Sequence, residues 1–473
     1  MKKISCFVWV FISLIFFTTP TYAAEKHSEY KEIAIFKDNH VPEKIAEQIH
    51  EKFPEVNTVI IKEIGLLKYN THSQEISTRV HDFLNNSYGD LIDEQGKESN
   101  FSTPSITPSL TNNIATYSII SNKKDRLINQ SQINLDQWQG YINSITNNRK
   151  SYEMQKGNHS ISVAIIDSGI DLNHPDLKEN ILSNGKSFVP NDPSTMDVTG
   201  HGTMVAGVIA ANGRTKGVGP NIGIVPYKVI GKDGGEATWV SKAIVEAAND
   251  GHKVINISLG VYQSLKDQNN KVTVTSYKRA INYALKKKSI IVASAGNDSF
   301  DINNPRKLAQ QRGFDNDLQV RVPSSLPGVI TVGASTLDKD ITKYSNYGKR
   351  VKVFSPGGDL GPLWETDEIP DIGRMVLTTY PTYLEKTPLA TITNLPQGYN
   401  WDMGSSFSSP AVASLVALVI SEKTEKGYEN VSLSQVEKII NKSSEKGISS
   451  SKINIINVYK ALKLVNRGNG IEN

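Results

Sequence analysis

The chain has 473 residues, a length at which two or more folding units are expected, and its apolar and charged fractions of 38% and 21% are those of an ordinary soluble protein. A formal charge of +4, carried by scattered lysines and arginines, argues against a nucleic-acid-binding or membrane-surface protein.

The chain opens "MKKISCFVWVFISLIFFTTPTYAAEKHSEY", with two lysines, an apolar run from Cys6 to Phe17, then Pro20 and small residues. The run falls short of the roughly 20 residues a membrane span needs. Thr21 and Ala23 fit the −3 and −1 positions of signal-peptide cleavage after Ala23. Residues 1–23 are thus expected to be removed on export, leaving a secreted, extracellular product without a membrane anchor. The single cysteine, Cys6, lies in that segment, so stability is expected to rest on core size or bound ions rather than disulfides.

Residues 24–95 read as a small α+β domain. From Glu32 to Leu91 the pattern is strand, helix, strand, helix, with "NTVIIKEIGLLKYNT" reading as one strand. Residues 96–137, rich in Ser, Thr, Asn and Pro, read as an exposed, cleavable linker. From Trp138 short β-branched strands such as "HSISVAIID", "HKVINISLG" and "SIIVASAGN" alternate with helical segments such as "GHGTMVAGVIAAN", "TWVSKAIVEAANDG" and "TSYKRAINYALKKK". That alternation predicts an α/β fold with a parallel sheet covered by helices over residues 138–473. Ligands of such sheets bind beyond the carboxyl ends of the strands, where Asp167, Ser258 and Asn297 are expected.

Three segments carry chemistry: "AIIDSGIDLNHPDL", "TGHGTMVAGVIAANG" and "MGSSFSSPAVASL". Taken singly, Asp167 reads as a turn residue, His201 as a packing histidine and the four serines as a polar loop. Together, and in this order, they supply the parts of an acyl-transfer triad. A serine hydroxyl needs a base within hydrogen-bond reach, and a buried carboxylate fixes the imidazole tautomer. Among the serines, Ser406 is favoured. In a helix starting there, the N–H that Pro410 lacks would have bonded the Ser406 carbonyl, so the defect stays in the first turn.

These motifs, with "NISLG", "SAGN", "VPSSLPGVITVGAS" and "FSPGG" in order, make the chain resemble the subtilisin-like serine proteases, or subtilases. The resemblance implies roles: Asp167 orients, His201 is base and acid, Ser406 is the nucleophile and Asn297 an oxyanion donor. It further implies that Ser258, Leu259 and Gly260 line the S1 pocket and pair with substrate, opposite Gly234 and Gly235, in β-augmentation. The family usually has Thr at Ser405, Met at Phe407 and Ala-Thr at Ser408-Ser409, so Phe407 is the departure to watch. His174 is a competing base but lies too near Asp167 in sequence.

No cofactor is required for this chemistry. Asp176 matches a calcium ligand of the family, although Arg214 and Lys216 in the facing loop oppose a hard cation. The amino-terminal domain resembles a subtilase propeptide, a chaperone and inhibitor released by self-cleavage within 90–137. The stretch "IAANGRTKGVGP" is most similar to the lantibiotic leader peptidases, which implies a monomeric enzyme acting on the leader of a bacteriocin precursor. Cleavage after a basic residue would follow, with Asp298 as its selector at the S1 rim. A broad-specificity secreted protease and a catalytically silent peptide-binding homologue are the alternatives.

Overall fold

The computed structural model describes residues 29–37, 42–102, 135–367, 370–428, 430–448 and 453–467. The signal segment and most of the expected linker lie outside them.

The large domain is built on a nine-stranded sheet in the order 445–446, 454–455, 353–356, 329–335, 290–294, 254–257, 162–167, 223–228, 186–187. Every neighbouring pair is parallel except the outermost two strands at one edge, 445–446 and 454–455. Its central strands are almost continuous runs of Val, Ile and Ala, as both faces are covered. Val163 and Ile165 face a cluster under the helices His201–Ala210 and Ser405–Glu425, whereas Ala164 and Ile166 face Ala237–Asn249 and Gln268–Lys286. The helix Ser405–Glu425 is apolar and long enough to cross a membrane, but its apolar stretch is wholly buried in this core.

The small amino-terminal unit is a four-stranded antiparallel sheet, ordered 57–61, 66–71, 30–36, 92–97. One face carries the helices Pro42–Lys52 and Gln74–Tyr88 over a core of Phe36, Ile45, Leu67, Tyr69 and Leu84. The stretch expected to form one strand forms two, broken by the 3-10 turn Lys62–Ile64 and by Gly65 at φ 64°. The last strand, Ile92–Lys97, crosses the expected boundary at residue 95.

The opposite face of this sheet docks on the large domain, with Ile33, Ile35, Ile61 and Leu66 joining Val272 and Val274 in one apolar cluster. Arg279 fastens the join, donating to the carbonyls of Phe36 at 2.6 Å and Ile64 at 3.0 Å and pairing with Asp93 at 2.7 Å.

Candidate active site

Asp167 ends its strand, and His201 and Ser406 open their helices, so all three meet at the carboxyl edge of the sheet. His201 Nδ1–H donates to Asp167 Oδ1 at 2.7 Å, which leaves Nε2 as the accepting nitrogen, buried and without a partner. Burial opposes protonation of His201, yet the charge and hydrogen bond of Asp167, with Asp402 and Asp197 adding to them, hold its pKa above the ordinary imidazole value. Phe407 fits: its ring is buried, 5.9 Å from the imidazole ring centre.

The histidine is placed by a residue the motifs did not single out. Asp197 accepts the N–H groups of Thr199, Gly200 and Thr203 and the hydroxyls of Ser168 and Thr203, so one carboxylate fixes the start of the His201 helix. An acidic residue ahead of a helix start is a legible capping signal.

Each of the four serines has its own partner. Ser405 donates to Asn297 Oδ1 through its N–H at 2.9 Å and its hydroxyl at 2.8 Å, which fixes the amide with Nδ2 on the other side. The Ser406 hydroxyl donates to the Ser258 carbonyl at 3.1 Å rather than to His201. Ser408 bonds the Ser355 carbonyl and Ser409 bonds Asn256. Gly404, at φ 151° and ψ 156°, supplies a backbone turn that other residues rarely adopt.

One of the two strands expected to hold substrate is paired with part of the chain itself. Asn100–Phe101 pairs antiparallel with Gly235–Glu236, and the Phe101 ring rests on Gly235, where a Cβ would come within 2.5 Å of it. Just upstream, Glu98 accepts the Thr238 N–H and hydroxyl at the start of the helix Ala237–Asn249. Lys68 pairs with both Glu98 and Glu236 where all three side chains are buried.

The pocket beside Ser258, Leu259 and Gly260 departs from expectation. Asp298 is exposed, and its carboxylate accepts the Tyr262 hydroxyl. The charge that lies deeper is a cation, Arg321, 7% exposed and wedged against Gly260 and Gly296. The region expected to select a basic residue thus carries both signs of charge, an exposed carboxylate at Asp298 and a buried guanidinium at Arg321.

His174 is satisfied, with Nε2 on the Gly398 carbonyl at 2.8 Å and Nδ1 accepting the Asp176 N–H, so it is no spare base. Asp176 does not fit a calcium ligand. Its oxygens accept the N–H of Arg214, the N–H and hydroxyl of Thr215 and the Tyr399 hydroxyl, at 2.8–3.0 Å. The loop thus offers donors where a cation needs oxygens. Among the described residues no cluster of three or more His, Cys, Asp or Glu could hold a metal.

A strand-end Asp bonded to a helix-start His, a Ser at a second helix start and an amide beside it define the subtilisin class of serine hydrolase. The subtilase family model matches residues 158–457, and the chain belongs to that family as a subtilisin-like serine endopeptidase. It is 33% identical to the epidermin leader peptide-processing serine protease EpiP of Staphylococcus epidermidis, over 69% of this chain and 74% of that one. It is 34% identical to the nisin leader peptide-processing serine protease NisP of Lactococcus lactis, over 64% of this chain but 47% of that one. Among solved structures, EpiP from Staphylococcus aureus superposes with a TM-score of 0.71 at 29% identity, covering 93% of this chain and 99% of that one. A lanthipeptide protease superposes at 0.62 with 37% identity, covering 70% of this chain and 95% of that one.

Proposed function

We propose that the chain is exported as an inactive precursor and that, once released from its amino-terminal unit, it acts as a monomer to remove the leader peptide from a lantibiotic-type bacteriocin precursor. The observation that carries this is the extended segment Asn100–Phe101, which lies as a strand on Gly235–Glu236, as a peptide awaiting cleavage would. The leader-processing relatives supply the substrate class. Residues 29–102 are the inhibitor in this reading, and the cut that frees the enzyme falls beyond Ser102.

Catalysis follows from the site. The Ser406 hydroxyl turns from the Ser258 carbonyl toward His201 Nε2, gives up its proton there and attacks the scissile carbonyl carbon. Asn297 Nδ2 and a backbone N–H at Ser406 receive the oxyanion. As the C–N bond breaks, His201 returns the proton to the leaving amine, and water then hydrolyses the acyl-enzyme by the same route. Asp167 holds the imidazole tautomer and stabilises the imidazolium throughout.

Digestion of an unstructured protein mixture beside a lantibiotic precursor tests the substrate class. One Ser406-dependent cut in the precursor and few in the mixture are expected. Many cuts in the mixture would make it a broad protease, and peptide binding without cleavage would make it a silent homologue.

A further inference from the structure

Arg321 sits on the strand Gln319–Val322, directly opposite Tyr262 of the strand Val261–Ser264 that continues from Gly260. Its guanidinium lies against both Gly260 and Gly296. A Cβ on Gly260 would come within 2.7 Å of Arg321 Nη1, and one on Gly296 within 2.6 Å of Arg321 Nε. Gly296 precedes Asn297 and its N–H donates to the Ser405 hydroxyl at 3.1 Å, so this glycine belongs to the nucleophile's own scaffold.

The cation is held from one side. Nη1 donates to the Ser294 carbonyl at 2.6 Å and to the Ser324 hydroxyl at 3.0 Å. Nε and Nη2 make no hydrogen bond to the described residues, and no described carboxylate lies within 4.0 Å of the group. The free Nε–Nη2 edge is a pair of parallel donors, the geometry that matches a carboxylate. Nearby, the Asp298 carboxylate is engaged by the Tyr262 hydroxyl, and Arg312 lies 4.2 Å from the Tyr262 ring centre, so neither charge contacts the Arg321 guanidinium directly. A buried guanidinium without a counter-ion is costly to keep, and a substrate carboxylate would remove that cost.

We propose that Arg321 is the specificity-determining residue of this endopeptidase and that it selects substrates with glutamate or aspartate immediately before the scissile bond. The inference rests on the peptidase reading above and sharpens it from a leader peptide to one ending in an acidic residue.

The test uses the full chain after self-processing and four peptides identical except for Glu, Gln, Arg or Leu at that position. kcat/KM for Glu is expected to exceed that for Gln by at least about tenfold, the worth of one buried charge-assisted hydrogen bond, and to exceed that for Arg by more. Arg321→Met should bring the Glu-to-Gln ratio close to one, whereas Arg321→Lys should retain part of it. These are ratios within one preparation, so partial misfolding of a variant does not alter them, and the wild-type ranking needs no variant. Arg or Leu as the best residue, or an unchanged ratio in Arg321→Met, would overturn the proposal. The two readings fail separately. Cuts after Glu throughout unrelated proteins would keep the role of Arg321 and remove the leader-peptidase reading. A single leader cut after another residue would do the reverse.

Discussion

Ser258 and Ser406 hold each other by two hydrogen bonds: the Ser258 hydroxyl donates to the Ser406 carbonyl at 2.8 Å, and the Ser406 hydroxyl donates to the Ser258 carbonyl at 3.1 Å. The first bond answers Pro410, which has no N–H to give to the Ser406 carbonyl. The second parks the nucleophile away from His201 until a substrate arrives.

Replacing Ser258 by Ala should leave that buried carbonyl without a donor. Unfolding in urea is expected to show a loss of about 1–3 kcal/mol, the cost of an unsatisfied buried polar group. An unchanged midpoint would mean that the Ser406 carbonyl finds another donor.

Asn297 is the proposed oxyanion donor, and Ser405 sets the direction of its amide. Asn297→Leu should lower kcat by about 10²–10³ with KM little changed, the size of loss known for the corresponding asparagine of subtilisin. Ser405→Ala should lower kcat less, since the Ser405 N–H still anchors the amide. Steady-state kinetics on one peptide would decide, and a change confined to KM would argue for a binding role instead.

Asp402 lies four residues before Ser406 and bears on the pH dependence of the site. Burial, opposed by the Met403 N–H and by His201, pushes its carboxyl up to about 6. Its charge in turn favours the imidazolium of His201. Activity as a base needs neutral imidazole, so the acid limb of kcat/KM should lie above the ordinary histidine value of about 6.5. Asp402→Asn should move that limb to lower pH. The stability sign is separate. The folded state holds the Asp402 proton more tightly than the unfolded chain, so its contribution favours folding at low pH and is lost as pH rises through about 6. Asp402→Asn is thus expected to be relatively more stabilising at pH 8 than at pH 4.5, read by thermal unfolding. A limb that stays put, or stability differences equal at both pH values, would show that Asp402 does not tune the site.

The join between the two units turns on Lys68, buried with Glu98 and Glu236. Lys68→Met would leave Glu98 buried without its cation, while Glu236 keeps Lys31 at 2.6 Å, and breaking a buried pair in this way costs about 3–5 kcal/mol. In a Ser406→Ala chain, which cannot process itself, the docked unit should therefore separate or unfold at lower temperature than with Lys68 present. Coincident melting curves would show that the ion cluster contributes little to docking.

Much of this is legible in the sequence because its signals are local. The β-branched runs mark the parallel strands, and "DSGID", "GHGT" and "GSSFSSP" carry the residues that converge at the strand ends. The fold supplies what depends on contacts between distant segments. Tyr262 and Arg321 are 59 positions apart and meet only through a two-stranded pairing, so nothing local marks Arg321 as lying against Gly260 and Gly296. For Asp176 the facing loop with Arg214 is legible in the sequence as an objection to calcium, but Tyr399, whose hydroxyl also occupies the carboxylate, comes from a segment that the fold alone brings to it. The helix Gln268–Lys286 begins earlier than its apolar pattern suggests, because Asp267 caps it by accepting the Asn269 N–H.

Among four crowded serines, only Ser406 is placed here as the nucleophile. Treating the self-processed chain with a fluorophosphonate and mapping the adduct by peptide mass spectrometry tests that assignment directly. A single adduct on Ser406 is expected, absent in Ser406→Ala and suppressed as pH falls and His201 takes up a proton. An adduct on Ser405, Ser408 or Ser409, or labelling that survives in Ser406→Ala, would contradict it.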